Sequence, residues 1–321
     1  MSVPAGRVLL AVDGSEEAGL AARAAIELCG KIGSELHVVH VGRGTRHVGD
    51  TGPVLLDPRT EEVAQEKLDQ QARALLGAEV EKIEERGGSV SRSHLLREHP
   101  ADGIVRLAEE LEARMIVMGS RGQGGIRRAL MGSVSEDVVR HAHCPVFVVR
   151  RPIGQTLLPA RVVLAVDGSP ESDAAAGLAA ELASSADSEL YLVHVGPSAH
   201  LPYEHPYLAE NVESYLEQAK KEARKFLEDQ AESLRGRTEA PVHTVLRVGV
   251  PEKEIVDLAD EVDAGLVILG SRGLGGIRRA LMGGVSDTVV RHARCPVLVV
   301  RREPAEDREP GAVEDRARAR P

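Results

Sequence analysis

The chain has 321 residues, 42% of them hydrophobic and 28% charged, which suits two globular domains at ~150 residues each. Its formal charge is −10, from 40 Lys plus Arg against 50 Asp plus Glu, and only 2% of residues are aromatic. That argues against a broad nucleic-acid surface, because phosphate backbones demand a basic footprint and unstacked bases demand aromatic faces.

Residues 7–12 predict a first strand of aliphatic residues, ending at Asp13-Gly14. Ser15 opens a helix with Glu16 and Glu17 in its first turn, where carboxylates suit the helix dipole. Residues 36–41 predict a second strand, and residues 61–86 a long charged helix stopped by Gly87-Gly88. A weakly alternating third strand follows over 89–96. Pro100 opens the next helix, at a position that suits its missing N–H. Residues 115–118 form a short buried strand, residues 133–142 a helix and residues 146–149 a last strand. Apolar strands alternating with helices predict a parallel sheet covered on both faces.

The second half repeats the first. GRVLLAVDGS at 6–15 returns as ARVVLAVDGS at 160–169, and SELHVVHVG at 34–42 as SELYLVHVG at 188–196. Between 119–151 and 270–302, 27 of 33 positions are identical. The chain therefore reads as a duplicated domain over 1–151 and 160–302, with a linker at 152–159. The last 19 residues, 303–321, are charged, Pro-bearing and without apolar period, the composition of a disordered tail. Three isolated cysteines, Cys29, Cys144 and Cys295, form no even framework, which fits a reducing compartment. The N-terminus does not read as a signal peptide, and no apolar stretch approaches the ~18 residues of a membrane span. A cytoplasmic protein is expected.

The chemistry centres on glycines. After the strand at 115–118 the spacing is G-x2-G-x9-G-S, from Gly119 and Gly122 to Gly132 and Ser133, with Gly124 and Gly125 between. Glycines let a backbone approach an anion closely, and Gly132-Ser133 stands at a helix N-terminus, where free N–H groups attract negative charge. Arg121, Arg127 and Arg128 add cations. Two readings are open: a phosphate site, or a tight strand-to-helix connection. Neither a P-loop nor the Rossmann glycine fingerprint is present. Asp13 lies at the carboxyl end of the first strand. If the strand order is 3-2-1-4-5, it faces Gly119 across the crevice where the order reverses, and could accept ribose hydroxyls. The alternative for Asp13 is a turn or capping role in Asp-Gly-Ser.

Both halves resemble the ATP-binding branch of the universal stress protein family. The matching pieces are VDGS, L-x3-H-V on the second strand, VMGSRG, the full glycine spacing and HAHCPVFVV. The resemblance spans residues 6–302. It implies an adenine nucleotide alpha hydrolase-like fold: two tandem open parallel five-stranded α/β sheets of order 3-2-1-4-5, with helices on both faces. It implies that Asp13 contacts ribose and the Val41 backbone contacts adenine. Gly119, Gly122, Gly132, Ser133 and Val134 would hold phosphates, and Ala11 and Met118 would line the adenine slot. Arg121 and Gly124 of the same loop join this set. In the second half the set is Asp167, Val195, Gly270, Arg272, Gly273, Gly275, Gly283, Gly284 and Val285, with Ala165 and Leu269 as lining. Gly284 stands where the family has Ser or Thr, so one hydroxyl donor is lost. Glu98-His99-Pro100 replaces the Gly-x-Pro seen at Gly249-Val250-Pro251. The implied ligand is ATP, ADP or AMP, with magnesium accompanying the nucleotide.

Other signals carry less. His141-x-His143-Cys144 loses a candidate metal ligand in the second copy, Cys144 and Cys295 read as inert buried thiols, and His40 and His194 as core or pocket-wall residues. The loops at 43–60 and 197–210 are long enough to cover a nucleotide, or are variable surface loops. The last strands, PVFVV and PVLVV, would be exposed apolar edges in lone domains, and are expected to pair between halves as a pseudo-dimer. Further homodimerisation and an unidentified regulatory protein partner complete the expectation of a nucleotide-dependent stress regulator. The rivals are a slow ATPase or phosphotransferase using the same pocket, and a nucleotide-free scaffold.

Overall fold

The computed structural model describes residues 6–42, 58–123, 131–150, 160–196, 209–273 and 282–302. The proposed linker at 152–159 and the tail at 303–321 lie outside them. The first half runs β1 (Arg7–Ala11), α1 (Glu16–Ile32), β2 (Glu35–Gly42), α2 (Pro58–Glu85), β3 (Val90–Arg97), α3 (Pro100–Glu110), β4 (Ala113–Gly119), α4 (Ser133–His141) and β5 (Val146–Val149). The second half repeats it as β6 (Arg161–Ala165), α5 (Pro170–Ala186), β7 (Glu189–Gly196), α6 (Ala209–Arg235), β8 (Val242–Val248), α7 (Pro251–Glu261), β9 (Leu266–Gly270), α8 (Gly284–His292) and β10 (Val297–Val300).

Each half has the order 3-2-1-4-5, but the expected two sheets are one. The strands form a single ten-stranded sheet, β3-β2-β1-β4-β5-β10-β9-β6-β7-β8. Every pairing within a half is parallel, and the joint is antiparallel, with Val297 opposite Val148, Leu298 opposite Phe147 and Val299 opposite Val146. The physical reason is the apolar edge itself. β5 and β10 are buried along their whole length, and unpaired backbone groups there would find no water. The pairing of last strands across the halves is thus as expected, and it merges the sheets.

Strand alternation sorts the core into two layers. Val8, Leu10 and Val12 point to the side covered by α1 and α2, whereas Leu9 and Ala11 point to the side of α3 and α4. Both layers continue across the joint into the second half. Charges flank the joint. Arg140 lies 3.2 Å from Glu136 and 3.4 Å from Asp287, and Arg291 pairs with Asp287 at 2.9 Å and with Glu136. On the other face Arg114 meets Glu181 at 2.8 Å. No described helix is long and apolar enough to cross a membrane.

Candidate functional site

The first strand ends and α1 begins in a tight, side-chain-knotted turn. Gly14 has φ +78°, in the left-handed region that favours glycine. Asp13 Oδ1 accepts from the Ser15 amide at 3.0 Å, and Ser15 Oγ caps α1 by accepting from the Ala18 amide at 3.1 Å. Asp13 therefore does serve the turn. Its second oxygen reaches across the crevice, where it accepts from the Gln123 amide at 3.0 Å. The strand reversal between β1 and β4 has brought the Asp-Gly turn and the glycine loop together.

The glycines are fitted to close approaches. A Cβ on Gly122 would lie 2.2 Å from Asp13 Oδ2, and one on Gly273 would lie 2.3 Å from Asp167 Oδ2. A Cβ on Gly119 would meet the Glu17 carbonyl carbon at 2.9 Å, and Gly270 stands in the same relation to Glu171. Only glycine allows β4 and β9 to run this close to the start of α1 and α5.

The third component is the N-terminus of α4. Gly132 is its N-cap and offers no side-chain acceptor, so the first-turn amides have no cap from within the helix. The Gly132 amide donates to the Ser120 carbonyl at 2.8 Å, and Ser135 Oγ donates to the same carbonyl at 2.7 Å. These two bonds hold Ser133 and Val134 beside the end of β4. The second half repeats them through Gly283, Ser271 and Ser286. Gly284, in the place of Ser133, has open space where a Cβ would stand.

The apolar candidates converge on one side of the sheet. Ala11 and Met118 are register partners on β1 and β4, and both are buried in the layer against which Val41 and Val134 pack. Ala165, Val195, Leu269 and Val285 occupy that layer in the second half. Gly124 and Gly275, Arg127, Arg128 and most of the two long loops lie outside the described residues.

Two features were not anticipated. Glu17, read as a dipole partner, is buried and accepts from Ser120 Oγ at 2.6 Å and from Arg121 Nε at 2.9 Å. Arg121 is thus held by a carboxylate, and Arg272 is held by Glu171, through Nη2 at 2.6 Å. Ser15 Oγ also donates to the Arg121 carbonyl at 3.3 Å, and Ser169 to that of Arg272 at 3.2 Å. Only the first-turn position of Glu17 was a signal, and it pointed to the dipole alone. His40 and His194 are half-buried, each donating from Nδ1 to a carbonyl, that of Val12 at 2.8 Å or Val166 at 2.9 Å. Burial pushes the thiols of Cys29 and Cys144 up to about 12 and that of Cys295 up to about 11, so they stay protonated and unreactive near neutrality.

Comparison with known proteins agrees with this construction. The model of the Universal stress protein family matches residues 5–150 and again 160–301. The chain belongs to the universal stress protein family. A universal stress protein of Mycobacterium tuberculosis is 33% identical over 306 residues, covering 92% of this chain and 96% of that one. A universal stress protein of Methanocaldococcus jannaschii is 35% identical over 146 residues, 46% of this chain and 82% of its own length. Among solved structures, a universal stress protein from Archaeoglobus fulgidus superimposes with a TM-score of 0.62 at 25% identity, covering 92% of this chain and 96% of that chain. The universal stress protein domain thus occurs twice in tandem here.

Proposed function

We propose that each half binds an adenine nucleotide, ATP, ADP or AMP with any accompanying magnesium, and that the protein is a cytoplasmic, nucleotide-dependent regulator in stress response. The observation that carries this reading is the side-chain-free approach of Gly122 to Asp13 and of Gly273 to Asp167. A carboxylate that accepts hydroxyl hydrogen bonds lies beside a backbone stripped for close approach, next to an uncapped helix N-terminus. That combination suits a ribose joined to phosphates.

In this reading Asp13 and Asp167 take the ribose, and the Val41 and Val195 backbones take adenine. Ala11, Met118, Ala165 and Leu269 flank the base. Gly119, Gly122, Gly132, Ser133 and Val134 take the phosphates, as do Gly270, Gly273, Gly283, Gly284 and Val285, with Gly124 and Gly275 completing the loops. Arg121 and Arg272 contribute field and shape rather than a free cation, since each already answers a glutamate. We read the arrangement as one for holding, because its groups are backbone amides, one ribose carboxylate and an apolar slot in each half.

The test is to purify the full chain, denature it and identify released nucleotide by mass, then to titrate it with ATP, ADP, AMP and cAMP. Released adenine nucleotide and saturable binding are expected. No nucleotide released, together with no calorimetric binding of any of the four, overturns the reading.

A further inference from the structure

Two arginines cross the joint between the halves. Arg150 directly follows β5 and is only 8% exposed. Its guanidinium donates to the carbonyls of Val290 and Ala293, and at 3.4 Å to that of Arg291. These carbonyls lie at the C-terminal end of α8, in the other half. Arg301 directly follows β10 and does the reverse, with Nη2 donating to the carbonyls of Val139 at 2.7 Å and Arg140 at 2.8 Å, at the end of α4.

A buried guanidinium is costly unless its donors are satisfied; here helix-end carbonyls take the terminal nitrogens, while Arg150 Nε is buried without a partner among the described residues. The cost is visible: burial lowers the affinity of both groups for their protons, that of Arg301 to about 10. Each arginine also follows a strand that is tied to the loop of its own half. The residue before Arg150, Val149, accepts from the Ser120 amide at 2.8 Å, and the charge of Glu17 acts on Arg150. Val300 accepts from the Ser271 amide at 2.8 Å in the same way, and Glu171 acts on Arg301.

The helix each arginine grips is the one whose N-terminus faces the opposite site. We propose that Arg150 and Arg301 are positioning residues that seat the phosphate-facing helix of the opposite half, so that the two nucleotide sites are coupled across the joint. This rests on the nucleotide reading given above. The effect is one of seating rather than of charge. Nine residues at ~1.5 Å rise put the guanidinium roughly 13 Å from the helix start, too far to touch a ligand there. Without the guanidinium, the buried carbonyls of Val290 and Ala293 and the half-buried one of Arg291 lose this donor, and the end of α8 must shift or fray to find others.

The experiment measures ATP binding by calorimetry in the full chain with one site blocked, by Gly122→Glu or by Gly273→Glu. Arg150→Met should weaken the second site, read in the Gly122→Glu chain, by about threefold to tenfold, the size of a lost hydrogen bond. It should leave the first site within about twofold, since additivity holds to that level for uncoupled positions. Arg301→Met should do the opposite, and Arg150→Lys, which keeps a donor there, should recover most of the loss. Amide exchange gives a readout independent of ligand: Arg150→Met should speed exchange at the start of α8 and spare that of α4. Equal loss at both sites, or loss only in the arginine's own half, overturns the coupling and leaves the nucleotide reading intact. Absence of ATP binding by the chain without substitutions overturns the nucleotide reading and the coupling with it, and the exchange pattern then judges the seating alone. A matching loss from Glu136→Gln with Asp287→Asn, which weakens the joint without touching the carbonyls, would assign the effect to the joint instead.

Discussion

The two halves are built to one plan, and they differ where the plan leaves freedom. In the first, Glu98 precedes α3 and its Cγ lies 2.9 Å from where a Cβ on Gly103 would stand. In the second the pair is exchanged: Gly249 takes the first place, and Glu254 fills the space from the helix, with Oε1 2.6 Å from where a Cβ on Gly249 would stand. One glutamate side chain occupies the space in either half, and the partner position must then be glycine. Beside the long helix the halves differ without such compensation. Arg97 pairs with Asp69 at 2.5 Å, and Gln65 donates to Asp69 at 3.1 Å. The corresponding Val248 and Lys220 instead border an apolar groove of about 140 Å³ with Leu216, Ala223 and Leu246. The Asp–Gly approach, by contrast, is the same in both halves to 0.1 Å, and a Glu–Arg pair recurs, made by Arg121 Nε in the first half and by Arg272 Nη2 in the second. Rim features tolerate exchange, whereas the Asp–Gly approach at the candidate site is held.

Breaking that shared geometry should have the largest effect. Gly122→Glu puts a bulky anion onto Asp13, and should lower nucleotide affinity in the first half by about a hundredfold or more, as overpacking and like charge add. Calorimetry should show the second half binding normally, and Gly273→Glu should mirror the result. Next in size is the exchanged pair. Gly103→Glu alone should destabilise the chain by about 1–3 kcal/mol, and adding Glu98→Gly should restore most of it. A double-mutant cycle by urea denaturation measures this; additive costs would show that the two positions do not share one space.

Smaller changes sharpen the comparison. Gly284→Ser restores the hydroxyl at the second site, and the open space there admits it without clash. Second-site affinity should rise several-fold, the worth of one neutral hydrogen bond of roughly 0.5–1.5 kcal/mol. Unchanged or weaker binding would show that the hydroxyl does not matter there. Arg97→Val, which copies the second half's residue into the first, should cost under about 1 kcal/mol, because half-exposed ion pairs contribute little. Smallest of all, the three thiols should resist alkylation in the native chain at pH 8 and react once it is unfolded. Rapid native alkylation of Cys29 or Cys295 would contradict their burial.

Most of the fold was legible because the signals were local. Short aliphatic strands, Asp-Gly-Ser at the first turn and Pro100 or Pro251 at a helix start each follow from the chemistry of a few neighbouring residues, and the duplication doubled every signal. The joint was legible too, since an apolar last strand needs a partner. What stayed hidden depends on distance. Glu17 looked like a helix-dipole residue, and its bonds to Ser120 and Arg121, over a hundred residues away, arise only once β4 lies against α1. Arg150 and Arg301 sit in ordinary strand-end positions, and only the antiparallel joint carries them to the opposite helices. The start of the long helix was also placed late, since Pro58 opens α2 and the apolar pattern begins only after it.

The central claim is that two separately breakable nucleotide sites lie in one chain. Native mass spectrometry of the full chain titrated with ATP tests it most directly. The account predicts up to two nucleotides per chain, one for Gly273→Glu or Gly122→Glu and none for the double variant. A chain that takes up no nucleotide, or one whose count is unmoved by these glycine substitutions, would contradict it.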